Sequence, residues 1–196
     1  MMIPFVGLTG GIGSGKSTAL AALGRLGAAT LSTDAVVHEL YGSSTLRDAV
    51  VQRFGPDVAP NGVVDRTALA GFAFSDPEQR QWLEGLLWPL VGERMWSWRQ
   101  ALEGAAQPPR VAVVEVPLLF EAGMESGFDA TITVIAEESV RSARAGARGH
   151  AAVDERTSRQ LTQEEKAARS TYVVDNDGSE ADLESKLSDV LDMLAP

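Results

Sequence analysis

The sequence predicts a three-layer α/β/α sandwich around a five-stranded parallel sheet. Two observations carry that prediction. Short apolar runs that read as strands alternate with segments of three- and four-residue apolar periodicity, the order from which strand–helix crossovers build parallel sheets. The first run, Pro4 to Thr9, leads straight into Gly10-Gly-Ile-Gly-Ser-Gly-Lys-Ser17, which fits G-x-x-x-x-G-K-[ST] without a mismatch. Between a strand and a helix, that motif means a phosphate-binding loop, and the sandwich is then of the P-loop NTPase type.

The chemistry of the loop follows from its residues. Its glycines let the backbone turn tightly and bring N–H groups against phosphate oxygens. The following helix, with Ala19, Leu20, Leu23 and Leu26 on its apolar face, adds a positive dipole end. The Lys16 ammonium can reach the outer phosphates of a nucleoside triphosphate, and the Ser17 hydroxyl can ligate Mg²⁺. A glycine-rich turn with an incidental lysine would not also need Ser17 and both flanks in place. Gly11, Ile12, Gly13, Ser14, Gly15, Lys16, Ser17 and Thr18 are therefore the candidate nucleotide contacts.

Along the chain, Gly27 closes the first helix as a left-handed cap. Ala28 to Ser32 reads as a second strand running into Thr33-Asp34, and Ala35, Val36, Val37 and Leu40 continue as a helix stopped by Gly42. Asp34 thus falls just past a strand end, where an open parallel sheet places its ligands; the alternative is that it only caps the helix. From Ser43 to Gly104 the pattern is helical. Ser44 opens a helix carrying Leu46, Val50 and Phe54, Asp65 caps one with Leu69 and Phe72, and Asp76-Pro77 opens a long segment that Pro89 should kink or break. All four tryptophans (Trp82, Trp88, Trp96 and Trp98) lie here, serving either as core or as lining for a substrate. Arg110 to Pro117, Thr131 to Ala136 and Tyr172 to Asp175 supply the remaining strands, and Ser179 with Asp182 forms a capping box for the last helix. The organisation is one domain, 1–196: a core of 1–42, 105–137 and 170–196, an inserted helical lobe at 43–104 and a helical lid at 138–169.

Composition narrows the function classes. Seventeen basic against 27 acidic side chains give a net charge of −10, which disfavours sequence-independent nucleic-acid binding and requires any anion site to be built locally. There are no cysteines, so disulfides and thiolate metal sites are excluded. The run from Val111 to Phe120 is broken by Glu115 and Pro117 and cannot span a bilayer. With no secretory signal pattern, a cytoplasmic location is the expectation. Only three basic residues are lysines (Lys16, Lys166 and Lys186), and arginines gather between Arg141 and Arg169. They form either a solvated helical face or a lid whose guanidinium forks close on phosphate oxygens.

These segments, in this order, resemble the dephospho-coenzyme A kinase family over nearly the whole chain. Leu8-Thr-Gly-Gly-Ile-Gly-Ser-Gly-Lys-Ser17 is similar to that family's opening signature, and Val116-Pro-Leu-Leu-Phe-Glu121 and Val174-Asp-Asn-Asp-Gly178 lie in register with it. Leu86-Leu-Trp-Pro-Leu90, Arg144-x-x-x-Arg148 and Arg156-x-x-x-Gln160 resemble its Leu-Leu-His-Pro segment and its lid. The resemblance implies Mg-ATP phosphorylating the ribose 3′-hydroxyl of dephospho-coenzyme A. It implies that Asp34 accepts or orients the hydroxyl proton, that Arg148 with Arg144 closes on the phosphates, and that Asn176 and Gly178 border the adenine. Thr9, Pro117, Leu118 and Leu119 would then line the acceptor cleft beside Asp34. Three positions depart from the family: Ser32 stands for its first aspartate, Trp88 for its histidine, and the stretch from Arg148 to Arg156 is about three residues shorter. The rival readings are another small-molecule P-loop kinase and a non-catalytic nucleotide-binding regulatory protein.

Overall fold

The structure, a computed structural model, describes residues 2–146 and 160–195. The chain forms two compact units: residues 1–32 with 99–196, and Thr33–Trp98. The first unit holds the sheet. Its strands are β1 (Phe5–Gly10), β2 (Ala29–Ser32), β3 (Ala112–Glu115), β4 (Ala130–Ile135) and β5 (Tyr172–Asp175), in the order β2-β3-β1-β4-β5. Every pairing is parallel, with Leu8 opposite Glu115, Gly10 opposite Val134 and Ile135 opposite Asp175. The five-stranded parallel sheet expected from the sequence is therefore the sheet observed. β1 is central and wholly buried, as an apolar strand flanked by parallel neighbours and covered on both faces should be.

The two faces of the sheet are chemically unlike. On one, Val6, Leu8, Val113, Ile132 and Val134 pack under two helices, α1 (Lys16–Arg25) and the last helix, whose bounds are Glu180–Leu194. Ala19, Ala22 and Leu23 of α1 meet Leu183, Leu187 and Val190 of that last helix in the same cluster. Burying each of the leucines completely is worth about 1.5–3 kcal/mol relative to leaving it in water. The opposite face presents Phe5, Gly7, Thr9, Thr131 and Thr133. Phe128 stacks on Phe5 at 5.0 Å between ring centroids, and the Arg99 guanidinium lies 4.8 Å from the Phe5 ring. Leu119 is seated against Gly7, where a Cβ would overlap its side chain.

In the second unit are α2 (Thr33–Leu40), α3 (Ser44–Phe54), α4 (Arg66–Ser75) and most of α5 (Pro77–Glu103). Leu46, Val50, Val58, Leu69, Leu83 and Leu87 make its core. Ser43 rather than Ser44 caps α3, accepting from the Leu46 N–H at 3.2 Å, and Asp65 caps α4 as expected, accepting from Thr67 and Ala68. The sequence assigned the helix after β2 to the core; by contacts it clusters with the helical unit. Pro89 does not break α5, which runs through it. The proline is exposed, so the Gly85 carbonyl that loses its donor faces water. The buried stripe of Leu83, Leu87, Val91 and Met95 continues on the other side at four-residue steps. The tryptophans divide: Trp82 lies edge-on to Phe54 at 5.5 Å, whereas Trp88 and Trp96 are 49% and 58% exposed.

Two short helices complete the first unit's described residues, α6 (Glu138–Gly146) and α7 (Gln163–Arg169), so that the last helix is α8. Ser179 and Asp182 form the expected capping box of α8. Bonds from the Ser179 hydroxyl and backbone hold the Asp182 carboxyl below its usual range. A carboxyl lowered on folding stabilises above its unfolded pKa and loses that contribution as pH falls through its folded one. We therefore predict that Ser179→Ala costs about 1 kcal/mol in denaturant unfolding at neutral pH. The deficit should shrink as pH falls through the lowered folded-state pKa of Asp182, where the carboxyl becomes protonated in both states.

Candidate active site

The phosphate loop is held in shape by backbone geometry that only glycine tolerates and by three side chains from outside it. Gly13 and Gly15 adopt φ of 78° and 92°, a left-handed region costly for other residues. A Cβ on Gly15 would overlap the side-chain amide of Asn176, and one on Gly13 would overlap the Arg141 carbonyl. Asn176 is buried, donates from Nδ2 to the Ser14 carbonyl at 2.8 Å, and sits just past β5 with its N–H on the Ile135 carbonyl at 2.9 Å. Arg144 donates to the Asn176 carbonyl at 3.1 Å. Arg141 donates from Nε to the Ile12 carbonyl at 3.0 Å and pairs with Glu138 at 2.8 Å.

Lys16 opens α1, and its ammonium donates to the Gly10 and Gly11 carbonyls at 3.0 Å each. The side chain therefore folds back along the loop, its charge over the turn. Ser17 is exposed in the first turn of α1, beside the half-buried Thr18. Beside the loop lies a cavity of about 540 Å³ lined by Gly11, Ile12, Arg141, Gln163 and Asp177 among others. Its wall is fastened at the end of β4. There Gln163 bonds the Ala136 backbone twice, Oε1 accepting from the N–H and Nε2 donating to the carbonyl, both at 2.9 Å. Asp177 accepts from the Glu137 N–H at 2.6 Å.

The structure thus brings Gly11 to Ser17, Asn176 and Arg144 together in one unit. Gly178 serves the neighbouring turn: a Cβ there would press on the Asp182 carboxylate that caps α8. Asp34 belongs to the other unit, two residues after β2 ends at Ser32. It is the second residue of α2 and exposed, so it is not the helix cap that the sequence left open; its carboxylate lies in the first turn, where the dipole favours it. Arg148 and Arg156 lie outside the described residues. Two of the acceptor-lining expectations fall on buried side chains. Thr9 and Leu119 are both fully buried, Thr9 bonded through Oγ1 to the Pro117 carbonyl at 3.3 Å. Pro117 and Leu118 keep partial exposure. Sequence reasoning missed Arg141 and Gln163 as loop-side contacts. For Gln163 a signal was present: Thr162-x-x-Glu165 is a capping-box pattern, and both of its bonds are made.

Comparison with known proteins gives a consistent answer. A family profile described as dephospho-CoA kinase matches residues 4–182. A dephospho-CoA kinase of Deinococcus radiodurans is 39% identical over 194 residues, covering 96% of this chain and 91% of that one. One from Symbiobacterium thermophilum is 38% identical over 179 residues, covering 89% and 74%. Among solved structures, a Thermus thermophilus protein superposes over 100% of both chains with a TM-score of 0.80 at 35% identity. A dephospho-CoA kinase from Campylobacter jejuni matches with a TM-score of 0.66 at 21% identity, covering 100% of this chain and 99% of that one, a likeness of fold.

The crowding around Gly15 generates a prediction. Gly15→Ala would force both an unfavourable φ and a shift of Asn176. The variant should fold, since the strain is local, yet bind a non-hydrolysable ATP analogue at least ~10-fold more weakly, because the amides no longer converge. Calorimetric titration of the two proteins measures this directly.

Proposed function

The chain belongs to the dephospho-CoA kinase family, and on that premise we propose that it transfers the ATP γ-phosphoryl to the ribose 3′-hydroxyl of dephospho-CoA, giving CoA and ADP. It is an ATP-dependent phosphotransferase, as the family is. The observation that carries the reading is the phosphate loop itself: Lys16 at its mouth, Gly13 and Gly15 in the left-handed region, and Asn176 and Arg144 bracing the turn.

In this reading the loop amides and the α1 dipole hold the β- and γ-phosphates, and Lys16 exchanges its bonds to the loop carbonyls for bonds to the phosphates. Such preorganised donors act where charge develops during transfer. The exposed Ser17 hydroxyl is a hard oxygen donor at the first turn of α1. That suits Mg²⁺, which takes most of its ligands from phosphate and water and needs few from protein. When bound there, the ion would neutralise charge on the phosphate oxygens. Asp34 takes the proton of the attacking 3′-hydroxyl. Arg144, and Arg148 further along the same segment, supply guanidinium contacts to the transferring group. Pro117 and Leu118 form an acceptor-facing wall, the helical lobe at 43–104 holds the bulk of dephospho-CoA, and segment 138–169 acts as the lid.

The other assignments follow physically. A net charge of −10 suits small-molecule partners better than nucleic acid. Among the described residues no helix is long and apolar enough to cross a membrane, and we assign the reaction to the cytoplasm.

ADP release measured with and without dephospho-CoA tests the whole reading: turnover should require that acceptor, and equal turnover with shikimate or a nucleoside monophosphate would overturn it. Within it, Asp34→Asn should bind ATP within about threefold of wild type while kcat falls ~100-fold or more, the usual worth of a positioned proton acceptor. Lys16→Ala should remain folded and lose at least ~100-fold in turnover, consistent with removing one transition-state donor.

A further inference from the structure

Lys166 lies outside the phosphate chemistry, yet it is the largest fully buried side chain of the described residues. It projects from α7 beneath the polar face of the sheet. Its ammonium donates to the Pro117 carbonyl at 2.9 Å, to Glu121 Oε1 at 2.9 Å and to Thr9 Oγ1 at 3.5 Å. Three donors meet three acceptors, and an ammonium has no fourth N–H to place. Glu121 Oε1 also accepts from the Leu161 N–H at 2.8 Å. Burial pushes the Lys166 pKa down, and Glu121 pulls it back.

An apolar side chain would fill this space without desolvating a charge, so the pair is poor value as a source of stability. What it offers instead is direction. Its three bonds fix the Pro117 carbonyl and the Glu121 carboxylate against Thr9, the residue immediately before the phosphate loop. Two further contacts fasten the same segment: Arg169 pairs with Glu125 and lies 4.8 Å over the Phe120 ring. One turn earlier on α7, Gln163 grips Ala136, and its Cγ would stand 3.4 Å from a Cβ on Gly11. α7 is thus a strut with one end on the phosphate loop and the other on the turn of residues 117–121.

We propose that Lys166 is a positioning residue: through Pro117 and Glu121 it sets the distance between the acceptor-facing wall and the loop that holds the γ-phosphate. The inference rests on the reading of Pro117 and Leu118 as that wall. Phosphoryl transfer tolerates little displacement of the acceptor oxygen, and a shift of about 1 Å can cost ~100-fold. Because Lys166 is sealed from solvent, its effect on substrate passes through the turn.

Lys166→Met alone would strand Glu121, so the informative variant is Lys166→Met with Glu121→Met, which removes both charges and keeps the apolar volume. Thr9→Val, which deletes the third acceptor at constant shape, is the second variant. In the double variant, kcat/KM for dephospho-CoA should fall at least ~10-fold while the Kd for an ATP analogue stays within about twofold. Thr9→Val should change the same quantity in the same direction by about threefold. A role limited to folding would change melting temperature and leave that split unmoved. Leu118→Ala is run in parallel. If it raises the acceptor KM while the double variant and Thr9→Val keep wild-type kinetics, the positioning role is wrong. If Leu118→Ala leaves the acceptor KM unchanged, the turn is not a wall, and the inference falls with that reading. If the double variant fails to fold, Thr9→Val decides between the same two outcomes.

Discussion

The hydrogen bond from the Asn176 amide to the Ser14 carbonyl, 2.8 Å long, is the constraint on which the site depends. It ties the end of β5 to the middle of the phosphate loop. Asn176 is itself fixed by the sheet through the Ile135 carbonyl, so the register of β4 with β5 sets the loop's position. The amide occupies the space where any side chain at Gly15 would lie, so the glycine serves two needs at once: a positive φ and room for its neighbour. Arg144 holds the Asn176 carbonyl from the other side. A chain with a net charge of −10 repels a triphosphate at long range, and local donors must overcome this. They can, because repulsion between distant charges is screened beyond roughly 8 Å at physiological salt, whereas converging amides act at contact.

Much of this was legible in the sequence, for reasons that differ by element. The phosphate loop, the Gly27 stop, the Asp65 cap and the Ser179–Asp182 capping box are local features: each depends on residues within a few positions, and each is observed. The five strands were legible because buried parallel strands read as unbroken apolar runs. The strand order was not, since nothing in β3 alone says that it lies between β2 and β1. Pro89 did not end the helix, because the loss of one donor was outweighed by a buried stripe on both sides of it, from Leu83 to Met95. The burial of Thr9 and Leu119 was not legible from their neighbours in sequence. Both stand next to apparently functional residues, but the alternation of a strand and the closeness of Gly7 turn them inward. Arg141 gave no signal among so many arginines; only folding selects the one that meets the Ile12 carbonyl.

The unlike faces of the sheet divide the labour of the first unit. The α1/α8 face is apolar over β1 and β4 and supplies cohesion, with Arg25 joining the helices at its rim through Glu180 and Glu184. The other face carries hydroxyls at Thr9, Thr131 and Thr133, each inside the sheet and each bonded. Thr131 and Thr171 exchange backbone-to-hydroxyl bonds at 3.1 Å in both directions, which extends the β4–β5 ladder with side chains. A face of this kind can accept a buried ammonium such as Lys166, because oxygen acceptors replace the water it gives up.

All four tryptophans, at 82, 88, 96 and 98, belong to the Thr33–Trp98 unit, and the sheet unit contains none. Indole emission is therefore a private optical label of the helical unit, supplied by the natural sequence. Circular dichroism, by contrast, draws on the backbone of both units. Superimposable melting curves from the two signals would mean that the units unfold as one cooperative body; separated curves would give each its own stability. The exposed indoles of Trp88 and Trp96 and the packed one of Trp82 also differ in their access to a dissolved quencher, so the same light distinguishes the surface of that unit from its interior.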